Sequence, residues 1–199
     1  GGDVVVAEVT YGEDGGRVSR FPGGTGAPEV LPFQFGSDGS DDGNPYAITA
    51  NAAGDIAVCA SGTWGDSVHV LKNGAATSTV TQQQECEDGI AYNSAGDLYE
   101  LNERVLAKLP SGASDLVDVW MPGAIDPVAL AVGPDDKIYI ADNGDDTTGP
   151  RVLVFADGDT DAEVIEFAAT SSGHRTISVA PDGDIYVTDD SLVWQVARA

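Results

Sequence analysis

Four residues of this sequence carry oxygen ligands at corresponding places along the chain: Glu8, Asn102, Asp142 and Asp189. Carboxylate and amide oxygens are the donors that calcium and other hard divalent cations prefer. Ala60 fills the fifth such place and breaks the set. The same residues have a structural alternative, because an Asp at the end of a strand can accept hydrogen bonds from neighbouring loop N–H groups. A recurring Asp suits that alternative, since a catalytic site breaks symmetry. Asp157, Asp159 and Asp161, followed by Glu163, alternate oxygen donors as calcium loops do, and so do residues 38–43. Neither segment has the bidentate Glu at the twelfth position of an EF-hand loop, so both also read as acidic turns.

Nucleophile and general-base chemistry has little to draw on. There are two histidines, His69 and His174, and neither a Gly-x-Ser-x-Gly nor a Cys-x-x-Cys motif occurs. His69 sits in Ser67-Val68-His69-Val70 and is expected on a strand surface. His174 falls in a loop. Binding residues are expected instead on long loops, which a rigid scaffold can present to a ligand: Tyr11, Trp64, Asp145, Asp146 and His174 are the candidates. Covering loop backbone is the alternative role for the two aromatic rings. Cys59, at the end of a strand, and Cys86, in the loop leading to the next repeat, map to the same face, which makes a disulfide pinning neighbouring repeats sterically reasonable, with plain burial as the alternative.

These residues are positioned by a repeat. Residues 48–58, 90–100, 130–140 and 177–187 superimpose without gaps, and the chain opens on the same turn at Gly2-Asp3. Gly54, Gly96, Asp136 and Gly183 mark successive turns spaced by roughly 40 to 47 residues, the period of propeller blades. Within each repeat, alternation predicts four short strands. The third strands are read at 17–21, 67–71, 104–109, 151–155 and 192–196. The fourth are read at 29–35, 77–82, 116–120 and 163–167. Small residues at Thr49, Ala91, Ala131 and Ser178 suit a crowded innermost strand. The expectation is an all-β single domain, a β-propeller of about five four-stranded blades with incomplete first and last blades. The blades are drawn at 1–44, 45–87, 88–126, 127–173 and 174–199.

Composition narrows the partners. The formal charge is -24, with only nine Lys plus Arg. Such a surface repels phosphate backbones and anionic lipid, which excludes nucleic acid as an expected partner. No apolar run approaches the roughly 18 residues of a membrane span, so direct membrane insertion is not expected. The sequence begins without Met or a signal peptide and is expected to be a mature fragment.

The Gly-Asp turn followed by an Ile-Tyr-Val-x-Asp strand, clearest at 130–142 and 177–189, with Arg-Val-x-x-Phe at 151–155, resembles the NHL repeat. The run from Arg17 through Val30-Leu31-Pro32-Phe33 resembles the extracellular sensor domains of actinobacterial receptor serine/threonine kinases. That resemblance implies a propeller that binds a protein or cell-envelope ligand outside the cell or in the envelope, as a non-catalytic sensor or adhesion module. Related propeller hydrolases hold a divalent cation with carboxylates and Asn. A metal-dependent lyase or lactonase using calcium or another divalent cation is therefore the second expectation. A third is a structural unit that forms homo-oligomers through the open edges of its terminal blades.

Overall fold

The computed structural model describes residues 2–9, 16–35, 43–62, 65–82, 86, 89–167, 175–188 and 192–196, with side chains at all of these but 62, 65, 81 and 82. Tyr11, Trp64, His174 and Asp189 lie outside the described residues. The chain divides into two compact units, residues 1–87 and 88–199.

The first unit holds two sheets. One consists of β1 (Val4–Glu8), β2 (Arg17–Phe21) and β3 (Glu29–Val30). The other consists of β4 (Asn44–Ala50), β5 (Ile56–Gly62), β6 (Gly65–Leu71) and β7 (Thr79–Gln82). The second unit holds three. The first comprises β8 (Gly89–Tyr92), β9 (Leu98–Asn102), β10 (Val105–Leu109) and β11 (Val117–Val119). The next comprises β12 (Pro127–Val132), β13 (Ile138–Asp142), β14 (Arg151–Phe155) and β15 (Glu163–Glu166). The last comprises β16 (Thr176–Val179), β17 (Ile185–Thr188) and β18 (Val193–Val196). Every sheet is an antiparallel meander in chain order. The protein is an all-β propeller of five blades, and its first and last blades have three strands among the described residues.

The turn that recurs in the sequence has a local cause. Asn51 O accepts the Gly54 N–H, and Asn51 Oδ1 accepts the Asp55 N–H at 3.0 Å. Gly54 has φ +87°, where a side chain would be strained. The Asp that follows ties two turns of one blade together: Asp55 Oδ1 accepts the Asn73 N–H, and Asp97 Oδ1 accepts that of Ser111.

Within each unit the core is made of layers between neighbouring blades. Ile56, Val58 and Ala60 pack with Val18, Leu31 and Phe35 in the first unit. In the second, Tyr99, Leu101 and Leu106 pack against Ile138, Ile140, Leu153 and Phe155, while Tyr139, Ala141 and Val152 meet Ile177, Ile185 and Val187. All five residues of β13 are buried.

This layering corrects the reading of His69 as a surface residue. It is 1% exposed, with its ring edge-on to Phe35 at 5.2 Å and in a hydrogen bond with Ser67 Oγ at 2.9 Å. Val68 and Val70 on the other face are buried too. Alternation separates inside from outside only when one face of a sheet meets water. The fourth strand of the first blade is also shorter than expected. The ladder ends at Val30 with one further bond, Leu31 N–H to Val18 O at 2.8 Å, and Pro32 beyond it has no N–H to donate.

Candidate functional site

Of the described members of this set, Glu8 and Asp142 each pair with an arginine of the next strand in their own blade. Glu8 forms an ion pair with Arg17, opposite it on β2. Asp142 is fully buried. Its Oδ2 accepts Arg151 Nε at 2.9 Å, and its Oδ1 accepts the N–H groups of Ile125 and Asp126 at 3.2 and 2.6 Å. Arg151 also donates to Gly123 O at 2.7 Å, and Asn143 Nδ2 to Asp126 Oδ2 at 3.0 Å. Both oxygens of Asp142 are thus taken by donors that hold the loop between β11 and β12. Asn102 differs, because its Oδ1 is buried without a hydrogen-bond partner.

The acidic turn is likewise dispersed. Asp157 pairs with Lys108 of the preceding blade, Asp159 accepts the Ala156 N–H at 2.8 Å, and Asp161 meets Thr160 Oγ1 at 3.4 Å. Among the described residues, no three His, Cys, Asp or Glu side chains converge as a metal site requires. Asp145 is occupied by its own loop: the N–H and Oγ1–H groups of Thr147 and Thr148 all donate to Oδ1, holding its carboxyl well below the usual carboxylate range. Asp146 is exposed beside it. Cys59 and Cys86 are both fully buried and joined in a disulfide, with Cα atoms 6.2 Å apart.

Two features were not singled out from sequence. The first is Glu100, which stands on β9 where the other second strands carry Val58, Ile140 and Val187. It is 3% exposed, and its Oε1 has no hydrogen-bond partner. Burial pushes its carboxyl up to about 7. Tyr99 and Leu101 pack toward the fourth blade, so strand alternation points Glu100 and Asn102 together to the opposite face.

The second is a cleft of about 250 Å³ at the end of the third blade, lined by residues of β10, β11 and the loop into β12. Trp120 stands on its wall and is 70% exposed, more than any other large hydrophobic residue described. Arg104 and Asp118, both exposed, flank the cleft, while Met121, Ile125 and Pro127 belong to its apolar lining.

Register explains Arg104. Arg17 and Arg151 stand opposite Glu8 and Asp142, but Val105 stands opposite Asn102. Arg104 therefore lies one residue outside β10, in the two-residue turn after Glu103, whose φ is +47°. The third strand read at 104–109 begins at Val105, and Trp120 lies just past the end of β11. Among the described residues Arg104 makes no ion pair, and Asn102 stands where Glu8 and Asp142 pair with Arg17 and Arg151. The loop wall of the cleft is braced from behind, since Asp142 holds the Ile125 N–H and Arg151 holds Gly123 O.

No protein-family model matches the chain, and no curated protein matches its sequence. Solved structures do match in fold. TolB from Acinetobacter baumannii superimposes with a TM-score of 0.70 at 11% identity, over 98% of this chain and 52% of its own. A catalytically inactive virginiamycin B lyase from Staphylococcus aureus, crystallised with quinupristin, gives 0.58 at 16% identity, over 90% and 62%. A gluconolactonase from Xanthomonas campestris gives 0.65 at 13% identity, over 96% and 68%. The chain spans about half the length of the TolB chain it matches. At these identities the likeness is one of fold alone.

Proposed function

We propose that this chain is a non-catalytic, extracellular binding propeller of the sensor or adhesion type, which takes its ligand at the Trp120 cleft. One observation carries the reading: an indole 70% exposed at a concave surface, beside an arginine without the facing acid that its counterparts Arg17 and Arg151 have. Exposed Trp and Arg are the side chains most often responsible for binding energy. The buried disulfide supports an oxidising compartment. The NHL-like repeats and the Val30-Leu31-Pro32-Phe33 segment support kinship with receptor-kinase sensor domains.

The test is calorimetric titration with a panel of oligosaccharides, peptidoglycan fragments and short peptides, followed by recovery of each ligand. The expected result is binding that weakens in Trp120→Ala, with the ligand returned unchanged. Turnover of a panel member, lost in Glu100→Gln, would overturn the proposal.

A second reading, a lyase or lactonase, is favoured by Glu100. A carboxyl that titrates near neutrality can take up or release a proton at working pH, and perturbed groups of this kind gather at functional sites. Its burial sets that reading behind the first.

A further inference from the structure

We infer that the Trp120 cleft binds one ring of an uncharged oligosaccharide; this rests on the reading of the cleft as the binding site. The face of a sugar ring that presents C–H bonds is apolar and slightly positive, which matches the negative face of an exposed indole. Its hydroxyl groups both donate and accept, so they need a donor and an acceptor at the rim. Arg104 supplies only donors and Asp118 only acceptors. Neither side chain has an ion-pair partner among the described residues, so both are available to hydroxyls.

Charge and size point the same way. One cation and one anion leave the rim neutral, while the chain as a whole carries -24. Anionic polymers are repelled by that field before they reach the cleft. About 250 Å³ lies below the roughly 300 Å³ at which sites for drug-sized molecules begin, so a single ring enters and the rest of the chain stays outside. The lining of Val105, Val119, Met121, Ile125 and Pro127 offers no further charge to recognise an ionic group. The wall behind the ring is rigid because the Asp142–Arg151 pair holds its backbone.

Calorimetric and fluorescence titrations with chitotetraose, cellotetraose and maltotetraose test this. Tetragalacturonate serves as an anionic control and an uncharged tetrapeptide as a control of another class. At least one neutral tetrasaccharide should bind and perturb Trp120 emission, identified by difference from Trp120→Phe. Trp120→Ala should weaken it by about tenfold or more, Trp120→Phe by less, and Arg104→Ala by about tenfold. Tetragalacturonate should bind more weakly than any neutral sugar, and more weakly still at low salt. Because Trp120 is so exposed, its variants should keep the wild-type melting temperature. Peptide binding that depends on Trp120, with no sugar bound, overturns the saccharide and leaves the cleft as the binding site. Binding of either class that ignores Trp120 and Arg104, or no binding, overturns both.

Discussion

Asp142 and Arg151 face each other across β13 and β14, Oδ2 to Nε at 2.9 Å, and together they hold three backbone groups of the loop at Gly123, Ile125 and Asp126. Asp142 is fully buried and the Arg151 side chain is 12% exposed. Removing one partner of such a pair leaves the other charged in a dry setting. Asp142→Asn should therefore lower stability by about 3 to 5 kcal/mol, read from urea unfolding. It should also loosen the cleft wall and weaken ligand binding. Glu8→Gln, at an exposed pair of the same type, should leave the melting temperature unchanged.

Glu100 predicts a pH dependence with a definite sign. Its carboxyl titrates at about 7 in the folded chain, against 4.5 as its ordinary value. The folded state therefore binds more protons between those values, and stability falls as pH rises through that interval. The loss should saturate above pH 7 at up to about 3 kcal/mol. Glu100→Gln should remove that slope and make the protein more stable than wild type at pH 8. Equal pH slopes for wild type and Glu100→Gln would show that the folded chain holds Glu100 ionised.

The disulfide joins residues 27 apart in sequence. Restricting a loop of that length in the unfolded chain is worth about 3.5 kcal/mol on a chain-entropy basis. The Cys59→Ala, Cys86→Ala double variant should unfold at correspondingly lower urea concentration. Wild type treated with a strong reductant under unfolding conditions should show the same shift. Coincident urea curves with and without reductant would contradict the stabilising role.

The blade count was legible because one turn recurs between the first two strands of a blade: it needs a positive φ at Gly54, Gly96, Asp136 and Gly183, and an Asp follows in all of these but the fourth blade, where Lys137 stands. The burial of His69 was not legible, because alternation assumes a wet face that a blade packed on both sides lacks. The cleft was harder still. It arises where a two-residue turn shifts Arg104 out of register and Asn102 stands in place of the acid that pairs with Arg in the first and fourth blades. The signal was present in the sequence as an Arg whose blade ends its second strand on Asn instead of Asp or Glu. Its exposure beside Trp120 became visible only once the registers of β9 with β10 and of β10 with β11 placed both at the same end of the sheet. Glu100 was visible as the one acidic residue among apolar counterparts, but burial gave it its chemical character.

Where a ligand lands decides whether the Trp120 cleft is the binding site. In an NMR titration of isotope-labelled chain with a neutral tetrasaccharide that binds, the Trp120 indole N–H and the backbone amides of 104–106 and 119–125 should shift together, while the sugar's own spectrum stays constant over a day. Shifts confined to other blades, or conversion of the sugar, would contradict it.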